Sequence, residues 1–135
     1  MPYRILVIDD DEAIRKLFVL TLEDTEYQVD TAQSGLKGIE MLQCTKYNMI
    51  YLDLKMPGMN GVDTLRELRK IDNDIPIYII TAFHEEFLDQ LRSVAKEGID
   101  FELIRKPFGS EELIMVTKAV IEGTEVPRGG SHVQA

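Results

Sequence analysis

Met49-Ile50-Tyr51-Leu52-Asp53-Leu54-Lys55-Met56-Pro57-Gly58-Met59-Asn60-Gly61 is the stretch on which the reading of this chain turns. A short apolar run ends in one carboxylate, and a Pro/Gly turn follows at once. Such a run between turn signals predicts a strand buried on both faces, from Tyr47 or Asn48 to Leu52. Asp53 then stands at the C-terminal end of that strand, the edge where open parallel α/β sheets bind ligands. Taken alone, Asp53 is equally well explained as a turn former. The flanking sequence decides between the two.

Upstream, Tyr3 to Ile8 predicts a strand that runs into Asp9-Asp10-Asp11. From Glu12 onward, Ile14, Leu17, Phe18 and Thr21 recur at helical spacing, and the aspartates suit the positive end of that helix. Tyr27 to Ala32 alternates, Tyr27, Val29 and Thr31 against Gln28 and Asp30, which places it at a sheet edge. Ser34 is the expected N-cap of a helix carrying Leu36, Ile39 and Leu42. Downstream, Gly61 leads a helix with Val62, Leu65, Leu68 and Ile71, ended by Asp72-Asn73-Asp74. Pro76 opens the strand Ile77 to Ile80, which finishes at Thr81. A helix is expected over Glu85 to Lys96, with Gly98 as a left-handed C-cap. Phe101 to Ile104 is a last, edge-like strand, followed by Arg105-Lys106-Pro107-Phe108. Ser110 is the expected cap of a final helix carrying Leu113, Val116, Thr117, Val120 and Ile121.

Five strands alternating with five helices imply an α/β fold, with parallel strands, right-handed crossovers and helices on both faces. Edge patterns on the second and fifth strands fit a doubly wound five-stranded sheet of order 2-1-3-4-5, the flavodoxin-like arrangement. The order reverses between strands one and three and leaves a crevice at their C-terminal ends. Residues 1–123 read as one domain. Residues 124–135 contain Pro127, Gly129 and Gly130 without periodicity, and read as a disordered tail or linker stub.

The bulk numbers agree with one domain: 135 residues, 44% hydrophobic, 29% charged. A net charge of −9 argues against nucleic acid or an anionic membrane as the main partner. No apolar run approaches the roughly 20 residues that span a bilayer. Met1-Pro2-Tyr3-Arg4 runs straight into a strand and leaves no room for a signal peptide. Cys44 is the single cysteine, which excludes an intrachain disulfide and a C-x-x-C pair and points to the cytoplasm. Cys44 is expected to be a buried, inert thiol.

The strand ends carry the chemistry. Asp9 and Asp10 follow the first strand, Asp53 ends the third, Thr81 ends the fourth, and Lys106 follows the fifth. Carboxylates brought together at one edge repel, and a cation relieves the repulsion. Hard oxygens without histidine suit Mg²⁺ better than zinc. A converging lysine and a threonine hydroxyl complete a phosphoryl-handling site, with an aspartate as nucleophile. Singly, each residue has a structural explanation: a helix cap, a turn former, an ion-pair partner. Four appropriate strand ends on one edge favour the site.

On these residues the chain resembles the response-regulator receiver domains (CheY-like) of two-component signalling, over about Arg4 to Gly123. The resemblance rests on Ile5-Leu6-Val7-Ile8-Asp9-Asp10-Asp11, Leu52-Asp53, Pro57-Gly58, Asn60-Gly61, Ile80-Thr81-Ala82 and Lys106-Pro107-Phe108. It implies that Asp53 is the phosphoacceptor for a phosphoryl group from a histidine kinase or histidine phosphotransfer protein. It implies Mg²⁺ on Asp10, Asp53 and the backbone carbonyl of Lys55, with Asp9 acting through water. Lys106 and the Ala82 N–H would contact the phosphoryl group, Thr81 would move onto it, and the bond before Pro107 would be cis. The helix 4 and strand 5 face would then switch, acting on an output domain or protein, or through a phosphorylation-dependent dimer. Such a chain is a signalling phosphoacceptor and not an enzyme with turnover.

One departure weakens the expected switch. The family usually places an aromatic residue three before the lysine; here Leu103 stands there. Phe101 lies two residues earlier and needs a bulge to take the role. Lys55 and Phe83 are expected to shield the phosphoryl group from water and to slow self-dephosphorylation. His84 reads as a solvated loop histidine. Two rivals are weaker: a haloacid-dehalogenase-type phosphohydrolase wants an aspartate where Lys55 stands, and the Asp9-Asp10-Asp11 loop repels a flavin phosphate. A pseudo-receiver that docks without accepting phosphate is the remaining alternative.

Overall fold

Short β-branched and leucine-rich runs separated by amphipathic segments fold here as alternating strands and helices. The computed structural model describes residues 3–82, 85–106 and 108–123. Their elements are β1 (Tyr3–Ile8), α1 (Glu12–Leu22), β2 (Tyr27–Ala32), α2 (Gly35–Cys44), β3 (Met49–Asp53), α3 (Gly61–Ile71), β4 (Ile77–Thr81), α4 (Leu88–Lys96), β5 (Glu102–Arg105) and α5 (Ser110–Glu122). The strands form one parallel sheet of order β2-β1-β3-β4-β5. This is the expected doubly wound α/β fold.

Alternate residues of a strand point to opposite faces, so one apolar run feeds two cores. Leu6, Ile8, Ile50, Leu52 and Ile79 pack under α2, α3 and α4 through Leu42, Leu65, Leu68, Leu91 and Val94. Ile5, Val7, Met49, Tyr51 and Ile80 meet α1 and α5 through Phe18, Leu22, Leu113 and Val116. Every residue of β3 is buried, as its unbroken apolar run requires. Each fully buried aliphatic or aromatic side chain contributes about 1.5–3 kcal/mol. The helix starts are set by polar caps: Asp11 accepts from the Ala13 N–H, Ser34 from Lys37 and Asn60 from Asp63.

Several boundaries and environments differ from expectation. β3 starts at Met49, because Asn48 is engaged with the backbone of Arg4 through both its N–H and its Oδ1. α4 starts at Leu88 and not Glu85; no side chain caps it, and Phe87 at the cap position is buried instead. Ser110 is the first residue of α5, with Gly109 at the cap position, and the Ser110 hydroxyl sits 3.4 Å from Thr21 Oγ1. Cys44 is exposed. It is two residues, about 200° of helix, beyond the inward-facing Leu42.

The strand expected over Phe101 to Ile104 lies one residue later, and it contains no bulge. Its register with β4 runs unbroken from Tyr78–Glu102 to Thr81–Arg105. Phe101 therefore lies four positions before the residue paired with Thr81, about 13 Å along the strand at ~3.3 Å per residue. It is buried in the core under α2, α3 and α4, and no bulge brings it level with Leu103. Leu103, also buried, pairs with Ile79 and stands three residues before Lys106. Phe83, His84, Pro107 and the tail from residue 124 onward lie outside the described residues.

Candidate phosphoryl-transfer site

The C-terminal ends of the strands bring the expected residues to one edge. β1 ends at Ile8, so Asp9 follows it directly; β3 ends at Asp53 and β4 at Thr81. The pairing of Ile8 with Leu52 and of Asp53 with Ile80 levels these ends. Carboxylate oxygens of Asp9, Asp10 and Asp53 lie within 4.8 Å of one another. Lys106, just past β5, reaches across: its Nζ is 3.2 Å from Asp9 Oδ2 and 3.4 Å from Asp53 Oδ1. The Lys106 N–H donates to the Thr81 carbonyl at 3.1 Å, which fixes the lysine backbone beside the threonine.

Burial differs among these groups. Asp9 and Thr81 are fully buried, Asp53 is nearly so, and Asp10 and Ala82 are exposed. Asp9, Asp10 and Asp53 line a crevice of about 640 Å³ whose wall also includes Asp11, Lys55, Met56, Pro57 and Lys106. Pro57 of the opening stretch is thus part of the wall. The exposed Lys55 side chain pairs across the mouth with Glu86 at 3.5 Å.

The turn after β3 is shaped by two glycines. Gly58 has a left-handed φ of 75°, which an L side chain adopts only with strain. Gly61 approaches β3 so closely that a Cβ there would collide with the Asp53 carbonyl and lie 2.6 Å from Leu54 Cα. Its N–H donates to the Leu54 carbonyl at 2.7 Å. Gly61 thus seats α3 directly against the backbone that carries Asp53.

The electrostatics reveal a deficit of positive charge. Burial pushes the Asp53 carboxyl up to about 7, and the negative charge of Asp9 adds to the shift; Lys106 only partly opposes them. Burial raises Asp9 as well, against the Asp11 N–H and Lys106, which favour its charged form. With all three ionised, the carboxylates and one ammonium carry an excess of two negative charges. Hard oxygen donors with two negative charges uncompensated fit a divalent cation such as Mg²⁺.

Reading the sequence missed one contributor. Arg15 on α1 donates from Nη1 to the Asp9 carbonyl at 2.8 Å. A basic residue near the positive end of a helix, beside three aspartates, was the available signal. A second cleft of about 550 Å³ lies at the opposite, N-terminal edge of β4 and β5, around Arg69. The Arg69 guanidinium already donates to the carbonyls of Asp72, Ile75 and Asp100, so this cleft offers no comparable chemistry.

Comparison with known proteins gives the family. The family described as response regulator receiver domain matches residues 5–118. The response regulator MprA of Mycobacterium sp. (strain KMS) is 32% identical over 129 residues, 96% of this chain and 55% of that protein. The transcriptional regulatory protein CpxR homolog of Haemophilus influenzae is 34% identical over 124 residues, 92% of this chain and 52% of that protein. The chain thus spans about half the length of these relatives. Among solved structures, a CheY-like receiver domain from Methanospirillum hungatei superposes with a TM-score of 0.82 at 25% identity, covering 91% of this chain and 96% of that one. A Vibrio cholerae chemotaxis response regulator gives 0.75 at 27% identity, covering 89% of this chain and 99% of that one. Among the described residues, no helix is long and apolar enough to cross a membrane. With the 2-1-3-4-5 sheet and the Asp9, Asp10, Asp53 and Lys106 constellation at its C-terminal edge, the chain belongs to the response regulator receiver domain family of two-component systems.

Proposed function

We propose that this receiver accepts a phosphoryl group on Asp53 from a phosphohistidine of a histidine kinase or histidine phosphotransfer protein. The observation that carries the reading is the meeting of Asp9, Asp10 and Asp53 within 4.8 Å, with Lys106 bridging Asp9 and Asp53. Asp53, in its carboxylate form, attacks phosphorus; the phosphorus–nitrogen bond breaks, and the donor imidazole leaves with the electron pair. Lys106 stabilises charge developing on the transferring oxygens. The Thr81 hydroxyl and Ala82 N–H stand on the same strand end to hold them afterwards. Asp10, Asp53 and the Lys55 carbonyl, with Asp9 through water, would hold Mg²⁺, which when bound supplies neutralising charge to the same oxygens.

The product is an acyl phosphate that persists as a signal, so the chain works as a phosphoacceptor and not as an enzyme with turnover. Its only catalysis is its own phosphorylation and slow dephosphorylation. A kinase charged by ATP and a lone, exposed Cys44 suit the cytoplasm. The helix 4 and strand 5 face, with Leu103 in place of an aromatic residue, passes the state to an output domain, an output protein or a second copy. Incubation with acetyl phosphate and Mg²⁺, followed by intact mass, tests the reading. The expected result is one added phosphoryl group, abolished by Asp53→Asn. No gain in mass, together with no response to beryllofluoride, would identify a pseudo-receiver docking module instead.

A further inference from the structure

Asp9 is the most constrained residue of the acidic edge. Its side chain is fully buried. Oδ1 accepts from the Asp11 N–H at 2.9 Å and Oδ2 from Lys106 Nζ at 3.2 Å. Its own N–H donates to the Ala32 carbonyl at 3.1 Å. The carbonyl is the remaining polar group. Asp9 lies past Ile8, the last paired residue of β1, so the sheet ladders supply no donor to it. Arg15 supplies one, at 2.8 Å.

These bonds form a closed ring. The Asp9 carboxylate holds the Asp11 N–H, the Asp11 carboxylate caps α1 through the Ala13 N–H at 2.9 Å, and α1 returns Arg15 to Asp9. We propose that Arg15 is a positioning residue for the Asp9-Asp10-Asp11 turn, which locks the carboxylates in the geometry a divalent cation requires. The inference rests on the reading of this edge as a cation site. Its logic is that of any outer partner of a metal ligand: it orients a group that the cation then meets without reorganisation. Removing the guanidinium leaves a buried carbonyl without its donor and frees the turn to relax.

The alternative role for Arg15 is simple charge compensation, and the two roles predict opposite signs. A positive charge near a cation site weakens cation binding, so neutralising a mere countercharge tightens it. Losing a positioning contact weakens it. Mg²⁺ titrated by calorimetry at pH 8 into the full chain separates them. Arg15→Gln is expected to raise the Mg²⁺ Kd about tenfold, within the range for outer partners of metal ligands. Arg15→Lys keeps a donor and recovers part of the affinity. Equal or tighter binding by Arg15→Gln overturns the proposal. Amide hydrogen exchange of the metal-free proteins decides independently: faster exchange at Asp11 and Ala13 in Arg15→Gln supports the clamp, and unchanged exchange overturns it. Wild-type protein that takes up no Mg²⁺ would count against the cation-site reading, and the exchange comparison alone would then judge Arg15.

Discussion

Lys106 Nζ lies 3.4 Å from Asp53 Oδ1, yet the carboxyl of Asp53 is held at about 7. One lysine, shared with Asp9, does not offset burial and a neighbouring carboxylate. In the folded metal-free protein Asp53 therefore binds a proton that the unfolded chain releases near its ordinary value of 3.8. The folded state holds more protons between those values, so stability falls as pH rises from about 4 to about 7. Thermal unfolding of metal-free protein should show a lower midpoint at pH 8 than at pH 5. Asp53→Asn should be more stable than wild type at pH 8, with the gap shrinking at pH 5. Mg²⁺ should raise the wild-type midpoint more at pH 8 than at pH 5. A wild-type and Asp53→Asn difference that ignores pH would contradict the shifted carboxyl.

The seat of α3 on β3 predicts a steric cost. Gly61→Ala places a methyl against the Asp53 carbonyl and Leu54 Cα, which are backbone and cannot rotate away. The variant should lose about 1–3 kcal/mol of stability, as overpacked sites do. It should also accept phosphate more slowly, because the strain falls on the Asp53 backbone. Denaturant unfolding and the rate of mass gain from acetyl phosphate check the two effects.

Lys55 stands at the mouth of the crevice in an ion pair with Glu86. Both partners are about half exposed, so the pair itself contributes little, ~0–1 kcal/mol. A phosphoryl group on Asp53 adds about −1.5 to −2 charges nearby and competes for the ammonium. Lys55 then screens the group from attacking water. The phosphorylated form should be long-lived, and Lys55→Ala should shorten its half-life several-fold. A wild-type half-life of seconds would sink this expectation.

Leu103 stands three residues before Lys106, and Phe101 lies two residues further down, about 7 Å at ~3.3 Å per residue, with no bulge to bring its ring level with Leu103. A ring can swing between an inward and an outward rotamer with a large change in exposed area; a buried leucine has no such outward state. Beryllofluoride should therefore alter amide exchange strongly at Thr81 and Ala82 and only weakly along β5. Large changes centred on Leu103 or Phe101 would show that the switch is intact by another route.

Most of the architecture was legible in the residues because periodicity is a local property. The all-apolar β3 run, the alternating β2 and the 3.6-residue stripes of α1, α3 and α5 each announce their own element. The strand order followed from which patterns looked edge-like. The ends of elements were less legible. The start of α4 depends on a buried Phe87 in place of a polar cap, and the exposure of Cys44 depends on which face of α2 meets the sheet.

The site divides the same way. Asp9, Asp10, Asp53, Thr81 and Lys106 could be assigned to one edge from the sequence, because a parallel sheet places all its strand C-termini together. Only the tertiary structure decided their coupling: the Lys106 bridge, the raised Asp53 carboxyl, the Gly61 seat and the Arg15 return to Asp9. These are distances between residues remote in the chain, or between a side chain and a backbone turn. No local pattern encodes them, because burial and Coulomb interaction depend on where every neighbouring element comes to rest.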